Sequence, residues 1–339
     1  MAGLPIVAVS HAADLSVRAT YLQQLSPLAD VRFIADLQPA ERLAVLRSAQ
    51  VLATFSPTHE LKGAESGSLA GLRFVQCLAA GRDRFPFAAF AGCGVAFNPG
   101  AAAEPIAEHA VAMILAAAKN LFTRHRQLAD GVFNQSAFNT RLAGGTAAIV
   151  GLGAIGSRTG RLLQAFGMKI RAINSSGQTG HPVDMCRTLA DLDVVLDGAD
   201  VVVVAVELNR QTENLIGARQ LQQLKSDAIL VNVSRAAVIQ QDALFAHLTA
   251  HPAFRACLDV WWAEPMHGGQ FALEHSFLEL PNVIGSPHNS AMVQGIFSDL
   301  ARAAASNIAR FMQGQTPHHL ATGFPAIDLS INADKQSSS

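Results

Sequence analysis

The sequence has 339 residues, with 25 Lys plus Arg against 26 Asp plus Glu and a formal net charge of -1. Half of the residues are apolar and 15% are charged, which excludes disorder over most of the chain and, at this length, suggests about two domains. A near-neutral chain with no Lys/Arg run lacks the field that binding to nucleic acid or to an anionic membrane surface requires, so neither is expected as a partner.

The longest apolar runs, Ala110 to Ala118 and Val201 to Val206, are too short to cross a membrane. The first basic residue, Arg18, comes too late for the n-region of a secretory signal. Cys77, Cys93, Cys186 and Cys257 lack CxxC spacing and fit buried thiols of a reducing compartment, so a cytoplasmic protein is expected. No His/Cys/Asp cluster has ligand spacing, and no metal is implied.

In chain order, Ile6 to Val9, Val31 to Ile34, Val51 to Thr54 and Phe74 to Gln76 read as four strands of a first sheet separated by helical segments. Asn98-Pro99-Gly100 is a turn-forming tripeptide and a domain boundary. Glu104 to Leu121 then reads as one long Ala-rich helix, apolar on most faces, which predicts burial between domains or subunits and a homodimer. A second strand series follows at Ala147 to Val150, Lys169 to Ile173, Val201 to Val206, Ile229 to Val233, Ala256 to Val260 and Asn282 to Gly285. Strands alternating with helices make the class α/β, with a doubly wound nucleotide-binding sheet in the second half. A helix over Ala291 to Met312 returns to the first domain, a last strand is expected near Ile327, and the polar tail from Asp334 is expected to be disordered. The predicted domains are 1–98 with 290–339 and 99–289.

Gly151-Leu152-Gly153-Ala154-Ile155-Gly156 stands directly between a strand and a helix. The first glycine permits a tight turn, the second lets backbone approach a pyrophosphate, and the third lets helix pack on strand. A lone GxGxxG is weak; with strand, loop, helix and second strand in order it predicts a dinucleotide site. At the end of the second strand, where NAD sites usually place a carboxylate, the sequence has Asn174-Ser175-Ser176. These side chains can bond a ribose hydroxyl or merely cap the strand; no carboxylate repels a 2'-phosphate and no Arg or Lys up to Val183 attracts one. NAD and NADP both stay open, with a slight lean to NAD, and Arg158 is the next candidate to set the choice.

The remaining motifs resemble the D-2-hydroxyacid dehydrogenase family over nearly the whole chain. They are Ala79-Ala80-Gly81-Arg82-Asp83, Asn98-Pro99-Gly100 with Ala107-Glu108, the GxGxxG, Val231-Asn232-Val233-Ser234-Arg235, Leu258-Asp259-Val260-Trp261 running into Glu264-Pro265, and Ser286-Pro287-His288. The resemblance implies two Rossmann-like doubly wound parallel-sheet domains, the first flavodoxin-like and discontinuous, with the active site in the cleft between them. It implies a hydride transfer between NAD(P)H and a 2-keto acid to give a D-2-hydroxy acid.

Position by position, the resemblance makes Arg235 the residue that binds substrate carboxylate and keto oxygen, His288 the proton donor and acceptor, and Glu264 its partner. It makes Asp259 the contact to the nicotinamide carboxamide, places Val233 at the cofactor with the glycine loop, and gives the backbone N–H groups of Ala80 and Gly81 to the carboxylate. A guanidinium fork matches a planar carboxylate with its adjacent carbonyl. Hydride arriving at carbon builds negative charge on oxygen, which calls for a cation and a proton donor there. Phe55 and Leu78 are candidate pocket walls or ordinary core residues.

Several positions depart from the family pattern. Ala236-Ala237 replace two glycines after the arginine, Asn289-Ser290-Ala291 replace glycines after the histidine, and Arg82, which either faces substrate or pairs with Asp83, replaces an apolar residue. His267 and His275 read as surface residues. Formate dehydrogenases of the same superfamily carry Gln where this chain has Glu264, which argues against that branch, and the proline after Glu264 argues against a phosphite dehydrogenase. A nonenzymatic, NAD-sensing interaction protein of the same fold is the alternative from another class.

Overall fold

The computed structural model describes residues 3–265 and 270–321; the strand expected near Ile327, the polar tail and His267 lie outside them. The chain divides into two compact units, Met1–Ala102 with Gln294–Ser339, and Ala103–Val293. The first junction falls after the Asn98-Pro99-Gly100 turn rather than at it, because Ala101 and Ala102 still pack on the first unit's core.

In the first unit, β1 (Ile6–Val9), β2 (Asp30–Phe33), β3 (Ala49–Thr54), β4 (Phe74–Cys77) and β5 (Gly94–Ala96) form a parallel sheet in the order β2-β1-β3-β4-β5. This is the flavodoxin-like doubly wound order. The strands are apolar on both faces, as sheets covered by helices on both sides must be. Val7, Val9, Val51, Ala53 and Phe74 face one core, and Ala8, Leu52, Val75 and Cys77 face the other. The helix Ile296–Met312 returns to the first of these cores beside Leu15–Leu25, burying Leu300, Ala304, Ile308 and Phe311 along one stripe. Phe311 stacks on Phe74 at 4.8 Å. That helix starts later than the expected Ala291, after Gly295 in the left-handed region at φ +85°.

The second unit holds β6 (Thr146–Val150), β7 (Lys169–Ile173), β8 (Met185–Arg187), β9 (Val201–Val204), β10 (Ile229–Asn232), β11 (Arg255–Leu258) and β12 (Val283–Gly285). They form a parallel sheet in the order β12-β11-β10-β9-β6-β7-β8, a Rossmann order with one further strand. The two short strands β5 and β8 are the ones not anticipated from sequence. The helix Ala103–Ala118 lies on this sheet, with Ala110, Met113, Ile114 and Ala117 buried against Ile149, Val203 and Val231. One face of the helix is thus buried within its own unit, while Ala112 is exposed and Ile106, Leu115 and Ala116 are half-buried on the others. It also ends before Leu121: Asn120 takes a left-handed conformation, φ +49°, and a separate helix, Leu121–Ala129, follows. No helix among the described residues is long and apolar enough to cross a membrane.

One ion pair of the first unit is buried. Arg42 donates from Nε and Nη2 to the two carboxylate oxygens of Glu65 at 2.7 and 3.0 Å, and from Nη1 and Nη2 to the carbonyls of Ile34 and Glu60. These bonds hold the Glu65 carboxyl below its ordinary value of 4.5. A depressed carboxyl contributes stability that is fully present above its unfolded value and is lost as pH falls through its folded one. Glu65→Gln, which strands the guanidinium, is expected to lower stability at pH 7 by about 3 kcal/mol. Urea unfolding of both proteins from pH 7 to pH 3.5 should show that gap narrowing below about pH 4.5. A gap that stays constant with pH would rule the pair out as a source of acid sensitivity.

Candidate active site

The glycine loop fits a dinucleotide pyrophosphate, and the steric test separates its three glycines. Gly151 has φ +104°, and a Cβ there would meet the Ala205 carbonyl oxygen at 2.6 Å. A Cβ on Gly156 would meet the Gly151 oxygen at 2.1 Å. Gly153 is exposed and a Cβ on it would meet nothing within 4 Å, so its smallness serves no contact within the protein. It is the N-cap of the helix Ala154–Ala165, where free N–H groups and the positive dipole end face outward past half-buried Ala154 and Ile155. The loop is anchored on β7, with Gly151 and Leu152 N–H both donating to the Ile173 carbonyl.

At the end of β7 the Asn174 side chain is engaged by its own loop. Its Oδ1 accepts the N–H of Gly177 at 2.7 Å and of Ser176 at 3.2 Å, and its Nδ2 donates to the Gln178 carbonyl at 2.7 Å. Ser175 and Ser176 are exposed beside it. Arg158 is committed to Glu104 at 2.9 Å and to the Ala154 carbonyl. A cation follows on the adjacent strand: Arg187, the exposed last residue of β8, accepts the Asn174 N–H on its carbonyl at 3.0 Å and donates from Nη1 to the Cys186 carbonyl at 3.0 Å. It was missed because β8 is only three residues long.

Three neighbouring strands, β10, β11 and β12, end side by side because the sheet is parallel and in register. Beyond β10, Val233 is buried and continues the ladder to Val204. Asn232, fully buried, accepts the Ser234 N–H and hydroxyl on Oδ1 and donates from Nδ2 to the Arg235 carbonyl at 2.9 Å. The asparagine of the motif thus shapes the turn that presents Arg235. Beyond β11, Glu264 Oε1 accepts the Trp261 N–H at 3.1 Å and contacts His288 Nδ1 at 2.9 Å. Trp261 Nε1 donates to the Ser286 carbonyl at 2.8 Å, joining the loops after β11 and β12.

His288 itself is 41% exposed and has φ +52°, a left-handed conformation that costs a non-glycine residue roughly 1–2 kcal/mol. That conformation is offset from behind. Asp259, fully buried, accepts the N–H of Asn289 on Oδ1 and of Ser290 on Oδ2, both at 3.2 Å, and the Ser286 hydroxyl on Oδ1 at 2.6 Å. Hydrogen bonds to a charged acceptor contribute about 1.5–3 kcal/mol each. A histidine with a carboxylate on Nδ1 can hold and pass on a proton, and the glycine loop on the same sheet can hold a dinucleotide.

The family described as D-isomer specific 2-hydroxyacid dehydrogenase, NAD binding domain, matches residues 111–290. The chain belongs to this family. Glyoxylate reductase of Aeropyrum pernix is 31% identical to it over 259 residues, covering 74% of this chain and 76% of that protein. D-3-phosphoglycerate dehydrogenase of Archaeoglobus fulgidus is 29% identical over 240 residues, 70% of this chain, and the chain covers 44% of that longer protein. Among solved structures, D-lactate dehydrogenase with NAD+ from Lactobacillus jensenii shares the fold with a TM-score of 0.74 at 20% identity, over 94% of this chain and 99% of that one.

The first unit holds the other predicted residues at the carboxyl ends of β3 and β4. Phe55 is half-buried against Phe297, and its N–H donates to Glu60 Oε1 at 3.0 Å. Ala80 is exposed and Gly81 half-buried. Leu78 is 1% exposed and lies in the sheet core with Phe74 and Ala96. Arg82 lies over the Phe97 ring at 5.7 Å. His275 is no plain surface residue: it stacks on Phe245 at 4.6 Å and bonds Asp242 at 2.8 Å. Burial raises the Cys77 and Cys257 thiols to about 12, consistent with inert packing.

The two glycine positions should separate binding from folding. Gly153→Ala is expected to keep the melting temperature within about 2 °C while weakening coenzyme binding at least about tenfold. Gly156→Ala should instead cost about 1–3 kcal/mol of stability through overpacking. Calorimetry and coenzyme fluorescence titration read the two effects, and equal losses of stability in both variants would refute the assignment.

Proposed function

We propose that this chain reduces a small 2-keto acid of glyoxylate or hydroxypyruvate size to its D-2-hydroxy acid, using NADH or NADPH. The contact of His288 Nδ1 with Glu264 Oε1 at 2.9 Å carries this reading. With Nδ1 bound to the carboxylate, Nε2 is the nitrogen left to give a proton to the substrate oxygen. When bound, the nicotinamide supplies the hydride. Arg235 holds the substrate carboxylate and the keto oxygen through its fork, and stabilises charge as it builds on that oxygen. Relatives named glyoxylate reductase, hydroxypyruvate reductase and glycerate dehydrogenase favour the small-acid class. Glu264, a full carboxylate, separates this site from a formate dehydrogenase.

Coenzyme choice is shallow in this reading. Asn174 brings no charge against a 2'-phosphate, its amide is held by its loop, and Arg187 on the adjacent strand is the candidate cation. Asn174 and its serines still favour NADH slightly. A cytoplasmic homodimer completes the proposal, and the apolar surface available to a second copy is Leu121, Phe122, Leu128, Val132, Phe133 and Phe138, each more than half exposed.

Initial rates with glyoxylate, hydroxypyruvate, pyruvate and phenylpyruvate, each with NADH and NADPH, test the reaction. His288→Asn should lower kcat about 100-fold or more with coenzyme affinity nearly intact. Arg235→Lys, which keeps charge but loses the fork, should impair both KM and kcat. A purified protein that binds coenzyme yet turns over none of the four acids would favour the sensing alternative. Arg187→Ala should weaken NADPH about tenfold or less while sparing NADH; a loss shared by both coenzymes would exclude Arg187 as the discriminating cation.

A further inference from the structure

Asp259 is the most deeply buried charge of the site, and one of its neighbours comes from a part of the chain with no assigned role. His109, on the helix Ala103–Ala118, places Nε2 at 2.9 Å from the Ser286 hydroxyl and 3.7 Å from Asp259 Oδ1. Donor counting fixes the direction of this chain. The Asp259 carboxylate only accepts, and Oδ1 lies 2.6 Å from Ser286 Oγ, so the hydroxyl hydrogen lies on that line. The serine oxygen then has only lone pairs to offer, and His109 must donate its Nε2 hydrogen to it. Asp259 in turn receives the main-chain N–H groups of Asn289 and Ser290, the two residues directly after His288.

We infer that His109 is a positioning residue for His288, acting through Ser286 and Asp259. The imidazole holds the serine hydroxyl in the one rotamer that reaches Oδ1. The hydroxyl keeps the carboxylate turned so that each oxygen receives one of the two N–H groups, and those bonds keep His288 in its left-handed backbone conformation facing Glu264. Without the imidazole, the hydroxyl is free to turn away and the carboxylate loses its third donor. The inference rests on His288 being the proton donor proposed above.

The test uses the full chain as wild type, His109→Leu, His109→Gln and Ser286→Ala. Amide hydrogen exchange at Asn289 and Ser290 reads the clamp without any turnover, and glyoxylate reduction reads its effect on chemistry. His109→Leu should speed exchange of those two amides about tenfold while the amides of β6 keep wild-type protection. It should lower kcat about tenfold with KM changed less than about twofold. Ser286→Ala, which cuts the chain one link later, should give the same exchange pattern. His109→Gln, whose side-chain amide can still donate to the serine, should restore both readouts most of the way. Wild-type exchange at Asn289 and Ser290 in His109→Leu overturns the inference, as does a Gln variant no better than Leu, which would reduce His109 to packing. Should His288→Asn leave turnover intact, the reaction reading fails by itself and the exchange result still decides the clamp.

Discussion

The placement of the His288 loop depends on one buried carboxylate. Asp259 has no solvent contact, and its charge is met by two main-chain N–H groups and a hydroxyl from the loop after β12. A charge in such a place is tolerated only when its hydrogen bonds are made, so the loop must close on it for the unit to fold. Closing the loop puts His288 into a backbone conformation it would otherwise avoid and leaves its ring against Glu264. The same carboxylate thus couples stability to the placement of His288, which need not be buried to be held.

The parallel sheet does the rest of the positioning. Because β10, β11 and β12 are adjacent and in register, turns that are far apart in sequence become neighbours: the arginine turn, the Asp259–Glu264 loop and the histidine loop. Side chains fix these turns: Asn232 holds the arginine turn, and Trp261 Nε1 joins the loops after β11 and β12. Substitution of the family's glycines by Ala236-Ala237 is accommodated within this arrangement, with Ala236 buried in a short turn.

Much of this was legible in the sequence, for physical reasons that can be named. Apolar strands such as Val201–Val204 and Ile229–Asn232 announce themselves by composition, and the glycine loop by spacing, since its steric demands leave few alternatives. The strands β5 and β8 were not legible: each is three residues long, sits at a sheet edge and has little apolar signal. The split of the Ala-rich segment at Asn120 was hidden because alanine reports helix without reporting where the chain turns. His109 carried no signal because its partner, Ser286, is set by the packing of a helix across a sheet. Asn174 illustrates the opposite limit, in which the residue was found but only the loop geometry shows that its amide is already occupied.

The discontinuity of the first unit has a consequence for how the chain is made. Its strands emerge first during synthesis, but one face of their sheet, covered in part by Leu15–Leu25, stays incomplete until the helix Ile296–Met312 arrives from later in the sequence and Phe311 reaches Phe74. The second unit, Ala103–Val293, is continuous and has its whole core as soon as it has been translated. The part of the protein that is born first is therefore completed last, and its apolar sheet face is the surface most exposed to aggregation and to chaperones while the ribosome finishes.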